Sequence, residues 1–423
     1  MTPAYPRVLV LAGDEITADF STGITVVNLF KGWPRDRVAQ ICLIPSTGNA
    51  ERLSGVSQAL PANGGVFDIP IRWGLRRVRA VRTTIHGRPS PGVSEGAPAA
   101  RSFGSLAALL ELGPVRLGPD AKAMARAFGP DIIYAPMSGI RMMRLARSLS
   151  RLTGAPVVPH LLDDWPTTLF EGLPISGLAR RTMLDELSLT LDEAPAIGVV
   201  SQAMADEYEQ RYGISAEPLM NCVDSLGQPK EVTRPTNPVR FAYVGGLHLG
   251  RASLLLSVAR AVEGTPGAEL WVHAPDEDLQ RHRELFRGLP SLHWGPSLPS
   301  NEVGSALTFA DVLVHLESFD EDTARYTRLS ISTKIPQYLA AARPVLALGP
   351  AGLASMTHLI SSGGAIAVDT ASKEALETAV RTIATDPFTR ARLASNAVSF
   401  ASKHHHAPAV REQFRALLAE VPE

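Results

Sequence analysis

The stretch with the strongest chemical signature is Ser332-Thr333-Lys334-Ile335-Pro336-Gln337-Tyr338. Pro336 suits the first turn of a helix, which puts Thr333 and Lys334 at its beginning. Free backbone N–H groups, the positive end of the helix dipole and a lysine together suit an anion such as a diphosphate. Taken alone, Lys334 reads more simply as a solvated lysine near a helix start. A second group is His160 followed by Asp163 and Asp164 at the end of an apolar run. An imidazole near carboxylates can orient a hydroxyl or stabilise charge at a reacting carbon. The competing reading is a core histidine and a carboxylate that caps the turn before Trp165-Pro166.

Other motifs carry less. Gly245-Gly246-Leu247-His248-Leu249-Gly250 has the spacing G-G-x-x-x-G rather than G-x-G-x-x-G, and no well-placed acid follows, so a dinucleotide loop is disfavoured. Asp276-Glu277-Asp278 and Asp320-Glu321-Asp322 offer oxygen ligands for a hard cation. Asp276 is more simply expected to N-cap a helix over Leu279–Phe286. His404-His405-His406 reads as a loop or helix end. Cys42 and Cys222 form neither a disulfide framework nor a zinc spacing. Neither G-x-S-x-G nor H-E-x-x-H occurs, so hydrolase templates find no support.

These residues need elements to hold them. The 423-residue chain is long enough for two or three domains with separate cores. Strands are expected at Arg7–Ala12, Val38–Ile44, Asp131–Ala135, Pro156–His160 and Ala196–Val200, with helices at Ile24–Phe30 and Ile140–Leu152. Gly23 falls in the first strand–helix loop. Ser201 should N-cap a helix over Ala203–Tyr212 that Gly213 ends. Ser225–Pro238 reads as a linker. The alternation restarts with strand Val239–Val244, a glycine loop and helix Ala252–Val262, followed by strands Glu269–His273, Ala310–Leu316 and Pro344–Leu348 and helix Ile335–Ala342. The expected fold class is α/β, with two doubly wound Rossmann-like domains facing a cleft. The boundaries are 1–222 for the N-terminal domain, 223–238 for the linker, 239–405 for the C-terminal domain, and 406–423 for a helix returning to the N-terminal domain.

In this order the landmarks resemble retaining glycosyltransferases of the GT-B fold, the family 4 group that includes polysaccharide and glycolipid assembly enzymes. Ser332 to Val345 is similar to the family's S-x-K-x-x-E-Y-L-A-A-G-x-P-V signature. His160 to Pro166 looks like its H-x-x-D-x-W-P segment, and Val199 to Met204 its V-S-x-x-M junction. Asn221-Cys222-Val223-Asp224 matches N-x-V-D, and Tyr243 to Leu247 the first strand and glycine loop of the donor domain. The resemblance implies a transferase that takes a nucleotide-diphosphate sugar as donor and needs no cofactor or metal. Gly23, Gly245, Gly246, Arg251, Thr333 and Lys334 would serve the phosphates, Gln337 the ribose, and Gly295-Pro296 would lie near the base. His160 and Asp164 would be catalytic, with Asp163 and Trp165 on the acceptor side. The acceptor would be a glycan, a lipid-linked sugar or a small molecule.

The sequence departs from the family at several positions. Gly246 stands where the family has arginine, Arg251 where it has lysine, Gln337 where it has glutamate, and Ala342 where it has glycine. The first of the family's paired glutamates has no clean equivalent; Glu317, Asp320 and Glu321 are the candidates. A non-catalytic GT-B-like subunit and a nucleotide-sugar epimerase are the alternatives.

A net charge of −1 gives no electrostatic case for nucleic acid. The first apolar run, Val8–Ala12, falls short of a signal peptide or a membrane span, so a cytoplasmic protein is expected. Arginines 72, 76, 77, 79, 82 and 88, with apolar residues at helical spacing, read either as a packed surface helix or as a contact with the inner face of a membrane.

Overall fold

The computed structural model describes residues 5–18, 21–46, 52–54, 56–59, 108, 111–171, 176–230 and 238–419; the Arg72–Arg88 segment lies outside them. The chain forms two compact units. One runs to Asn221 and takes in the residues from Val410 onward, and the other spans Cys222–Ala409.

The first unit is built on parallel strands β1 (Val8–Asp14), β2 (Val38–Ile44), β3 (Ser57–Ala59), β4 (Ile132–Pro136), β5 (Val157–Leu161), β6 (Gly198–Val199) and β7 (Glu217–Pro218). Their order is β3-β2-β1-β4-β5-β6-β7. The second unit has β8 (Val239–Val244), β9 (Ala268–His273), β10 (Leu292–Trp294), β11 (Val312–Leu316), β12 (Val345–Leu348) and β13 (Ala365–Val368), ordered β10-β9-β8-β11-β12-β13. In each sheet the order reverses beside the first strand, the doubly wound arrangement expected. Central strands such as β11 and β12 are buried throughout, as helix-covered parallel strands must be.

Several local signals act as expected. Ser201 Oγ accepts from Met204 N at 3.0 Å, and Gly213, at φ 66°, ends the helix Gln202–Tyr212. Others do not. Gly23 lies inside the helix Ser21–Phe30 rather than in the loop before it. Pro275 precedes the helix Asp276–His282, which leaves Asp276 in the first turn with Pro275 in the cap position. The strand expected at Ala196–Val200 shortens to β6 because Ser201 leaves the ladder to cap its helix.

Residues 225–230, read from sequence as linker, pack on the second unit. Gly227 N donates to Ala340 O at 2.7 Å. The Arg343 guanidinium donates to the carbonyls of Gln228, Thr308, Ala310, Ala341 and Ala342. From Val410 the chain serves the first unit. Phe414 is fully buried, its ring 4.9 Å from Phe30 and 5.4 Å from Tyr134, and Arg411 Nε donates to Asn28 O at 2.7 Å. No helix among the described residues is long and apolar enough to cross a membrane.

Candidate functional site

The second sheet gathers its polar residues at its carboxyl edge, where ligands of such sheets bind. β8 ends at Val244 and turns through Gly245, whose φ of 141° favours glycine. The backbone of the glycine loop is held by two side chains: Tyr243 donates its hydroxyl to Gly246 O at 2.6 Å, and Leu247 N donates to Asp278 Oδ2 at 2.8 Å. The helix Lys334–Ala340 is fastened to the same strand end. The Tyr338 hydroxyl accepts from Val244 N and donates to Val244 O, at 3.3 and 3.2 Å.

Lys334 therefore projects over the turn, its Nζ 5.1 Å from the centre of the Tyr243 ring. Arg251 opens the helix after the glycine loop and is turned inward. Its Nε donates to Leu316 O at 3.1 Å, and its Nη2 lies 3.5 Å from Glu317 Oε2. His315 Nε2 approaches the other carboxylate oxygen at 3.1 Å. Arg251, His315 and Glu317 are all buried.

The electrostatics follow from this packing. Burial alone would raise the Glu317 carboxyl, but the Arg251 charge and the His315 contact outweigh it and bring it down to about 2. Burial opposes the Arg251 charge, and Glu317 more than restores it. His315 is pushed down by burial. Lys334 is lowered to about 7, first by burial and then by the Arg251 charge, with Glu317 opposing. Two cationic side chains thus share one carboxylate, leaving the cluster short of negative charge.

Thr333 immediately precedes Lys334, and Gln337 follows it by one helical turn on the same face. Gly246 sits beneath a histidine: a Cβ there would stand 2.6 Å from His248 Nδ1. Gly295, after β10, lies beneath His273, and Pro296 follows it. These donor-side residues all belong to the second unit.

The remaining sequence candidates belong to the first unit. His160 had two readings, a strand-end residue pointing at a cleft and a core histidine. It is fully buried in β5, with Nδ1 2.5 Å from the Tyr134 hydroxyl, and burial lowers it to about 4. Asp164 is also fully buried. Its carboxylate accepts from Thr167 Oγ1 (2.7 Å), Tyr208 OH (3.1 Å) and Arg211 Nη1 (3.1 Å). Trp165 and Pro166 begin the short helix Trp165–Thr168. Arg180 holds the carbonyls of Pro166, Thr167 and Leu169.

Sequence reading gave no role to His315 or His273, named Tyr243 and Tyr338 only as parts of motifs, and left Glu317 as one of three acids. No local spacing marks His315, His273 or Glu317. Glu317 lies 66 positions from Arg251 and meets it only through the sheet. Among the described residues no group of three or more His, Cys, Asp or Glu side chains is arranged to hold a metal ion.

No family model matches the sequence, and no curated protein matches it. Solved structures do. Anabaena HepE in complex with UDP-glucose is similar over 96% of this chain and 97% of its own, at a TM-score of 0.63 and 14% identity. The trehalose-6-phosphate synthase OtsA matches over 98% of this chain and 99% of its own, at a TM-score of 0.63 and 13% identity. A sucrose-phosphate synthase from Thermosynechococcus elongatus covers 96% of this chain and 97% of its own, at a TM-score of 0.60 and 13% identity. The likeness is one of fold: the chain has the GT-B architecture.

Proposed function

We propose that the protein is a glycosyltransferase that binds a nucleotide-diphosphate sugar at the carboxyl edge of the second sheet. The observation that carries this reading is the Lys334–Arg251–Glu317 cluster, in which two cations and one carboxylate meet where strand β8 turns. A bound diphosphate would supply the missing negative charge. HepE, of the same fold, holds UDP-glucose. During transfer the bond between the sugar's anomeric carbon and the diphosphate breaks, that carbon becomes bonded to an acceptor hydroxyl oxygen that gives up its proton, and charge grows on the leaving phosphate. Lys334 is preorganised to stabilise that charge, with Arg251 adding to the field from within. Thr333 and Gln337 would serve the phosphate and ribose, as would Gly245, Gly246 and the Gly295-Pro296 loop for their parts of the donor.

The resemblance to retaining enzymes supports retention of configuration and a reaction without metal. It also assigns Gly23 to the phosphates and acceptor recognition to the first unit through Asp163 and Trp165, with His160 and Asp164 catalytic. Because both of these are buried, they would act by holding that segment and its field. The protein would work in the cytoplasm. A second reading, a non-catalytic subunit of the same fold, is favoured by the inward turn of Arg251 and the absence of an arginine at Gly246.

A thermal-shift panel of nucleoside diphosphates and their sugars separates the two readings. An enzyme should be stabilised by about 2.7 kcal/mol at a hundred times Kd, and Lys334→Ala should abolish the effect. No shift with any nucleotide would favour the subunit.

A further inference from the structure

Which way a nucleotide lies across the sheet can be read from the residues on either side of β8. Toward β12 the edge is closed. Glu317 and Ser318 are buried, and a Cβ on Gly349 would stand 2.7 Å from Glu317 Cβ. Toward β10 it is open: His273 and Trp294 are partly exposed, and Pro296 and Ser297 are exposed. Among the described residues of the second unit, the β9–β10 side is the open one for a nucleoside whose phosphates lie at Lys334. Two strand spacings, about 10 Å, match the reach from phosphate to base.

His273 ends β9, and its ring reaches across to Gly295 at the end of β10. It pairs in register with Val244, and its carbonyl accepts from Gly245 N at 2.8 Å, so its backbone is tied to the turn beneath Lys334. Its ring lies against Gly295, where a Cβ would come within 2.1 Å of Cε1, so residue 295 has to lack a side chain for the ring to be there. Nδ1 lies 3.0 Å from Pro296 O. A carbonyl can only accept, so Nδ1 is the donor. In the neutral ring Nε2 then carries a lone pair and no proton.

We infer that His273 is the specificity-determining residue for the base of the nucleotide, its Nε2 accepting the ring N–H of an imide or lactam base (uracil, thymine or guanine). Cytosine and adenine present a ring lone pair at that edge and are disfavoured. This assignment rests on the donor site proposed above. Its carriers are the carbonyl that fixes the tautomer and the glycine that seats the ring.

The test is direct binding of UDP, GDP, CDP and ADP to the full chain and to His273→Phe, His273→Gln and Lys334→Ala. Wild type should bind UDP or GDP about tenfold or more tighter than CDP and ADP. His273→Phe should shrink that ratio to within about threefold while still binding diphosphates. His273→Gln, which keeps an acceptor, should retain part of the preference. Lys334→Ala should weaken all four alike. A wild-type preference for CDP or ADP, or an unchanged ratio in His273→Phe, overturns the assignment while leaving the donor site intact. Failure of wild type to bind any of the four overturns the donor site, and the assignment with it.

Discussion

The ammonium of Lys334 occupies the space that a side chain on Gly245 would need: a Cβ there would stand 2.1 Å from Nζ. The absence of a side chain at 245 is thus a condition for the position of a charge 89 positions further along the chain. Gly245→Ala should displace Lys334 and strain a backbone held at φ 141°. The expected outcome is a loss of nucleotide affinity of about tenfold or more, approaching that of Lys334→Ala. Calorimetric titration of both variants checks it.

Lys334 also sets a pH dependence. In the empty site its proton leaves near pH 7, and a bound diphosphate would hold the proton on. Binding should therefore take up a proton, with affinity falling as pH rises above 7 by up to about tenfold per unit. The unliganded protein should respond in the opposite sense. Between about pH 7 and the ordinary lysine range the unfolded chain holds the extra proton, so the Lys334 contribution to stability rises with pH. Titrations in two buffers of different ionisation enthalpy count the proton, and Lys334→Met should abolish the uptake.

Glu317 neutralises the cluster from within. Glu317→Gln leaves Arg251 buried without its carboxylate, and stability should fall by about 3 kcal/mol. In the wild type the Glu317 carboxyl titrates near 2, below its unfolded range. Its contribution is complete above about pH 5 and is lost as the solution is acidified toward pH 2. Urea unfolding at several pH values should show the wild type and Glu317→Gln converging in acid.

Ala342 adopts φ 53° while fully buried, in the left-handed region that suits glycine. Ala342→Gly should relieve that strain and raise stability by about 0.5–1 kcal/mol, with activity unchanged. Thermal unfolding reads the difference. The sequence comparison had marked this position only as an alanine where relatives of the motif carry glycine.

How much of this was legible follows from where the information sits. β2 and β8 match the expected spans because a strand covered on both faces is an apolar run with few interruptions, here Gln40 and Arg240. The same is true of the caps at Ser201 and Gly213, which depend on neighbours within a few residues. Lys334 was visible because Thr333 and Pro336 frame it locally. Glu317 was not singled out because its importance comes from Arg251 and His315, which the sheet brings to it. For His160 two readings stayed open, since an apolar run ending in histidine does not reveal that Tyr134 waits on the adjacent strand. Arg251 was recognised as a cation, but the sequence did not disclose that its guanidinium faces inward.

The ring of Phe414 against Phe30 and Tyr134 has a consequence for synthesis. The first unit draws part of its core from residues that follow the whole of the second unit in the chain. During translation the second unit can be complete while the first still exposes the apolar surface that Phe414 will cover. Interruption of the chain before Val410 should therefore damage the unit at the opposite end of the sequence, leaving it aggregation-prone.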